Sequence, residues 1–392
     1  MIVLSEPPSP PFELERPAIV APAPREVSFG RIVGTVSPGT RRIVVSVDGR
    51  RLADKALNGR HFSLTVALPL RDVAVRVTAV GARGERRSTE VHPVYGLPSA
   101  AAPKPVRGFE DPSLARAARA LAHSFPGVAA VYLQDLRTGA GAAWNARARF
   151  PAASTLKMAI AIEVMRALRA KPAPESRLSR LLWRMLVYSD NEAANELEVW
   201  LGGSTSGGAA KVNATMRALG LPDSEMYGGY ALETAAGAKP IPLRVDHQPG
   251  FGRGKRTTAA DLARLSRLLH QAAGGGGALV KRLQGDFTPS DARFLLYTLA
   301  HSADRGKLDR LVGPKSAVSV LHKAGWIRHA RHDVGLVYWR GGVFVAAVMT
   351  WDAGGVGPSS DRLAGQVALA ALDRFRQRLR EESYDEWRAN RV

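Results

Sequence analysis

The strongest constraint on the fold is the placement of strand-like sequence at both ends of a long helical stretch. Val128 to Leu133 and Gly141 to Trp144 are short apolar runs joined through Arg137-Thr138-Gly139. Three more runs, Val318 to Lys323, Asp333 to Trp339 and Val343 to Trp351, come near the end of the chain. Asp111-Pro112 is a helix-start signal. From about Ser154 to about Leu311 the pattern is mostly helical, and a last amphipathic helix is expected from about Asp361 to Arg380. Strands at both ends of a helical middle imply an α+β layout, one antiparallel sheet with helices on its faces.

The sequence ahead of this region has a different character. Prolines 7, 8, 10, 11, 17, 22 and 24 make residues 1–27 an expected extended tail. Residues 28–97 hold short β-branched runs separated by turn signals such as Pro38-Gly39, Asp48-Gly49 and Asn58-Gly59. This spacing suggests a small all-β, immunoglobulin-like sandwich that serves as a binding or spacer module. Residues 98–110 read as a linker, and 111–392 as the second domain.

Composition removes several function classes. The chain has no cysteine, so disulfides, zinc-thiolate sites and cysteine nucleophiles are excluded. The formal charge is +20, but the positive residues are scattered, with no nucleic-acid-binding motif or aromatic ladder among them. The charge fits the codon bias of a GC-rich genome, and the alternative is attraction to an anionic cell-wall polymer. No apolar run reaches membrane-spanning length. Met1 to Leu4, followed by Glu6 and prolines, does not make a signal peptide. His329 and His332 have metal-ligand types but no evident third ligand, so a structural or solvated role is favoured and no metal or cofactor is expected.

Three short words carry the chemistry: Ser154-Thr155-Leu156-Lys157, Ser189-Asp190-Asn191 and His322-Lys323-Ala324-Gly325. Ser154 and Lys157, at i and i+3, share a helix face. Ser154 falls in the first turn, where free amides favour an anion. Lys157 lies among Leu156, Met158 and Ile160, and burial there favours a neutral amine able to take a serine proton. Ser189 and Asn191 lie in a loop between two helical runs, suited to proton relay and to holding an amide. Lys323 supplies a cation for a carboxylate, and Gly325 permits close backbone approach by a ligand. The Trp326 amide can join that of Ser154 as an oxyanion hole. Each word has a structural alternative: a helix cap for the first two, an edge-strand lysine for the third.

Together, in this order, the words are the set of serine β-lactamases and penicillin-binding proteins. The chain resembles the class A β-lactamase-like serine hydrolases over about residues 111–380. The likeness includes Arg149-Phe150-Pro151-Ala152-Ala153 before the nucleophile, Glu192-Ala193-Ala194-Asn195 after the second word, and Arg256-Thr257-Thr258. The resemblance implies a β-lactamase-like antiparallel sheet flanked by helices, with a helical subdomain. It implies Ser154 as nucleophile, Lys157 as base, Ser189 as relay, and Asn191, Lys323, Gly325 and Trp326 as the substrate-binding set. It further implies a small β-lactam or a peptidoglycan peptide as substrate, and an extracytoplasmic location.

Three departures from the family pattern bear on activity. Ala324 stands where the family carries a hydroxyl, which weakens binding of penicillin-type acids. The Glu-x-x-Leu-Asn string that activates the deacylating water is missing; Glu233 is the best substitute, with Glu225 and Asp246 behind it. The segment from Gly237 to Lys255, rich in glycine and proline, is expected to reshape or cover the cleft. A slow enzyme, or a silent wall-binding protein, are the alternatives to a fast β-lactamase.

Overall fold

The computed structural model describes residues 14–233, 237–283, 285–313 and 317–389, with side chains to residue 384. It divides at residues 99 and 100 into two units, each with its own core.

The first unit is all β. Its strands are β1 (Ala18–Ala21), β2 (Glu26–Ser28), β3 (Arg31–Thr35), β4 (Thr40–Val47), β5 (Arg50–Ala56), β6 (His61–Thr65), β7 (Asp72–Gly81) and β8 (Arg86–Gly96). They form a five-stranded sheet, β2-β8-β7-β4-β5, and a three-stranded one, β1-β3-β6. Alternate residues such as Ile43, Val45 and Val47, and Val73, Val75 and Val77, point into one core with Ile32 and Phe62. This is the expected sandwich, but it begins earlier than composition suggested. Residues 18–21 and 26–28 lie in the sheets and Leu14 is buried, so the expected tail is packed from residue 14 on. Proline is compatible with edge strands, and β1 and β2 are both at a sheet edge. The rest of that tail, residues 1–13, lies outside the described residues.

The second unit runs β9 (Phe109–Glu110), α1 (Pro112–His123), β10 (Val128–Asp135), β11 (Ala140–Trp144), β12 (Phe150–Pro151), α2 (Lys157–Leu168), α3 (Arg177–Val187), α4 (Asn191–Gly202) and α5 (Thr205–Ala218). It continues with β13 (Arg256–Thr257), α6 (Ala259–Ala273), α7 (Gly277–Arg282), α8 (Pro289–Ala300), β14 (Val318–Ile327), β15 (Ala330–Trp339), β16 (Gly342–Trp351) and α9 (Pro358–Ala389). The main sheet has the order β14-β15-β16-β10-β11-β9, antiparallel except for the short β9–β11 pairing. One face is covered by α1 and α9, with Val131, Leu133, Phe344, Val348, Leu372 and Phe375 in the shared core. Against the sheet also pack α6 and α8, while α2 to α5 pack on one another as a helical subdomain. Burial explains the near-continuous apolar runs of β15 and β16: both strands are covered throughout.

Caps fix the ends that matter. The Asp111 carboxylate accepts from the amides of Ser113 and Leu114 and binds Arg374 and Arg378 of α9, locking the first helix of the unit to the last. Asp190 caps α4 through the Ala193 amide and is held by Arg184 of α3. At its other end α4 stops at Gly203, whose positive φ suits a residue without Cβ.

Candidate active site

Ser154 sits at the junction of three elements. The two-stranded pair β12–β13 sets Phe150 opposite Thr257, and the Ala152 amide donates to the Lys255 carbonyl at 2.8 Å. The chain then turns through Ala153, whose φ of 46° is unusual for a residue with a side chain. Ser154 follows in a 3-10 turn, Ala153–Leu156, that leads into α2. The sequence reading placed Ser154 in the first α-helical turn; the tighter turn keeps it at the N-terminal end. The turn is supported from beneath by His332, whose ring meets the Pro151 carbonyl at 2.7 Å and the Thr350 amide at 3.2 Å. Because the Thr350 N–H donates to Nδ1, the proton is on Nε2. Burial pushes this ring down to about 4, so it stays neutral. His329 is not beside it as a second ligand but against the Asp352 carbonyl.

Gly325 of β14 lies directly against the Ser154 turn. A Cβ there would be 2.8 Å from the Ser154 amide nitrogen and 3.1 Å from Ala153 Cβ. Strand β14 is the edge of the main sheet, as the third word required. Trp326 follows Gly325 and is 61% exposed, which sets its ring at the rim. Ala324 is fully buried.

Lys157 is fully buried. Its Nζ donates to the Ser189 carbonyl at 2.5 Å and to Asn191 Oδ1 at 2.7 Å. Burial, with Lys323 and Lys255 nearby, lowers it to about 7 against the pull of Asp190 and Glu198. A neutral amine has two N–H bonds and one lone pair. Those two bonds are the ones observed, so the lone pair is left to accept a proton. Ser189 has a φ of 59°, a strained value that turns its side chain toward Lys323. The Lys323 ammonium donates to Ser189 Oγ at 2.9 Å and to its neighbour Ala324's carbonyl at 2.8 Å. Lys323 is also fully buried, and that burial lowers it to about 8. The word that carries it continues inward: His322 is paired with buried Asp333 at 2.8 Å.

The structure thus brings together Lys157, Ser189, Asn191 and Lys323 by direct bonds, and Ser154 and Gly325 by backbone packing. Glu233 stands apart from that cluster. It is exposed, and its carboxylate accepts from the Thr205 hydroxyl and the Gly229 amide. The Thr205 bond leads in holding it below the usual carboxylate range. Glu225 is spent on Arg256 and Lys239, and Asp246 is exposed.

Four residues at the site went unread in the sequence. The Asn195 side chain clamps the Tyr230 backbone, accepting from its amide at 2.6 Å and donating to its carbonyl at 3.0 Å. The Tyr230 ring is 4.6 Å from Lys157 Nζ and 4.7 Å from Lys255 Nζ. Glu198 is fully buried on α4. Its signal was available: Ala194, Glu198 and Leu201 make one stripe at helical spacing, apolar but for the acid. Beside the Ser154 turn opens a cavity of about 500 Å³, lined among others by Ala153, Tyr227, Tyr230, Glu233, Phe251 and Ile327. The segment from Gly250 to Lys255 forms one of its walls, so the glycine- and proline-rich insertion does shape the cleft.

Comparison with known proteins agrees with this arrangement. The family model described as the β-lactamase enzyme family matches residues 113–174 and 171–375. No curated protein matches the chain. Among solved structures, PBP-A in an acyl-enzyme complex with penicillin G is similar at 21% identity and a TM-score of 0.53, over 69% of this chain and 99% of that one. A β-lactamase from Sphaerobacter thermophilus is similar at 21% identity and a TM-score of 0.51, over 67% and 97%. A class A β-lactamase from Mycobacterium abscessus is similar at 19% identity and a TM-score of 0.53, over 67% and 99%. At such identities the likeness establishes the fold.

Proposed function

The chain belongs to the β-lactamase enzyme family, as a serine hydrolase of the β-lactamase type, and from that premise we propose that a β-lactam or related amide acylates it at Ser154 and water releases the product. The observation that carries this reading is Lys157, buried one turn from Ser154 with both donors engaged and near neutrality at about pH 7. In the proposed step Ser154 Oγ bonds to the substrate carbonyl carbon as its proton passes to Lys157 Nζ. The Ser154 and Trp326 amides hold the oxyanion. The C–N bond then breaks, and the nitrogen takes a proton through the Ser189 hydroxyl. Because Ser189 Oγ already accepts from Lys323, its own proton is the one to give. Asn191, with Oδ1 on Lys157, has its NH2 for the substrate amide. Lys323 contributes positive potential for a substrate carboxylate, and Gly325 gives the backbone room to approach.

Deacylation is the slow half in this proposal. Glu233 is the carboxylate at the cavity rim closest in kind to a water-activating base, but an acid held ionised by two hydrogen bonds is a weak one. Ala324 adds no hydroxyl for the substrate carboxylate. These two features support a second reading, a penicillin-binding or peptidoglycan-processing enzyme with the same nucleophile. PBP-A, a structural relative, is seen as an acyl-enzyme with penicillin G. A cell-wall substrate would also set the protein outside the cytoplasm, and among the described residues no helix is long and apolar enough to cross a membrane.

Intact-mass measurement after incubation with penicillin G tests the proposal. A stable adduct on Ser154 is expected, lost in Ser154→Ala. Rapid turnover of a chromogenic cephalosporin would favour the fast β-lactamase. Folded protein that takes no adduct from any acylating probe would overturn the enzyme mechanism in favour of a silent wall-binding role.

A further inference from the structure

Behind the site, one face of α4 is built from Asn191, Asn195 and Glu198, at i, i+4 and i+7. The first holds Lys157 Nζ, and the second clamps the Tyr230 backbone so that its ring lies against Lys157 and Lys255. The third is a fully buried carboxyl. Neither of its oxygens has a hydrogen-bond partner among the described residues, and the same is true of the buried Tyr230 hydroxyl. The helix cannot drift to relieve this. A Cβ on Gly208 of α5 would come within 2.2 Å of the Glu198 carbonyl oxygen, so the two backbones touch there. The charged groups acting on Glu198 are Lys255, Glu233 and Lys157. Those acting on Lys157 are Lys323, Asp190, Glu198 and Lys255. A buried, unpartnered acid facing the lysine of a catalytic pair is costly to keep and has no packing role that a leucine would not fill better.

We propose that Glu198 is a positioning residue for proton traffic, the counter-acid that exchanges one proton with Lys157 and so governs the pH range in which Ser154 can be deprotonated. The inference rests on the reading of Lys157 as the serine's base. The exchange balances without any outside reactant. An ammonium at Lys157 with a carboxylate at Glu198 becomes an amine with a carboxylic acid; protons and net charge are unchanged. The amine then takes the Ser154 proton as the acyl bond forms, while the acid keeps its own. Burial pushes Glu198 up to about 8 and Lys157 down to about 7, so the uncharged pair is the form near neutrality.

Two measurements decide it. The first needs no substrate. In an infrared pH titration, the wild-type protein minus Glu198→Gln difference is expected to show a protonated carboxylic acid band at pH 7. Lys157→Met removes a cation that favours the carboxylate, so the midpoint for losing that band should rise by about one pH unit. A band absent at pH 7, or a midpoint that does not move, overturns the proposal. The second is the pH dependence of acylation by penicillin G. Glu198→Gln is permanently uncharged, so Lys157 should stay neutral to lower pH and the acidic limb should move down by about one unit. Glu198→Asp should restore the wild-type limb. Superimposed profiles for wild type and Glu198→Gln would sink the idea while leaving acylation at Ser154 standing. Absence of any wild-type adduct would instead count against the proposed function, and the infrared arm would still judge Glu198.

Discussion

Ser154 is made reactive, in this reading, by a lysine that has lost its solvent. Lys157→Met should leave the fold intact and slow acylation by about 10³-fold, the scale of a general base. A stopped assay of adduct formation against time would check it; a rate within a few fold of wild type would reject the assignment. The wild-type rate should rise with pH through about 7, because only the deprotonated amine accepts the serine proton. Gly325→Ala tests the other side of the nucleophile. Its Cβ would press on the Ser154 amide at 2.8 Å, and displacing that turn should cost about 10²-fold in acylation with little loss of stability. Glu198 makes a prediction about stability as well. Its folded-state value lies above its ordinary value of 4.5, so the native protein holds a proton that the unfolded chain has released. The linkage therefore lowers stability as pH rises from about 4.5 to about 8. Denaturant titrations at pH 5 and pH 8 should show a smaller difference in Glu198→Gln than in wild type.

At the scale of elements, the site depends on how segments far apart in sequence are pinned. Asn195 joins α4 to the loop that carries Tyr230. Asn195→Ala would leave a buried amide and carbonyl unpaired, at about 1–3 kcal/mol. Hydrogen exchange should quicken across residues 227–233 before it does in α2. Equal protection in mutant and wild type would show that the clamp is dispensable. The Asp111 cap does the same work for α1 and α9. Asp111→Ala removes an N-cap and strands two arginines, and should lower stability by about 3 kcal/mol. That loss should appear in thermal unfolding, with acylation per folded molecule unchanged, since neither helix touches the Ser154 turn.

For the molecule as a whole, two separate cores mean two units able to respond independently. Residues 103–108 between them have no regular structure. Limited proteolysis there should release a fragment of the second unit that still gains mass from penicillin G. If the fragment is folded but unreactive, the first unit is required for activity rather than an accessory. The formal charge of +20 has no single focus in the sequence, which suits weak, salt-dependent attraction to an anionic polymer better than a specific site.

The order of the words, the strand–helix–strand arrangement and the capping residues were legible in the chain because each depends on neighbours within a turn or two. Asp190, for instance, caps α4 through an amide three residues on, and β14 announces itself by its apolar run. The packed start of the first unit was not legible, because proline content describes local stiffness and not whether an edge strand is waiting. Nor were the surroundings of Lys157. The charge it carries depends on burial and on Lys323, Glu198 and Lys255, which arrive from a sheet edge, a helix and a loop. Water exclusion and electrostatic coupling act through space, so the tertiary structure alone decided which nitrogen is neutral and which acid stands behind it.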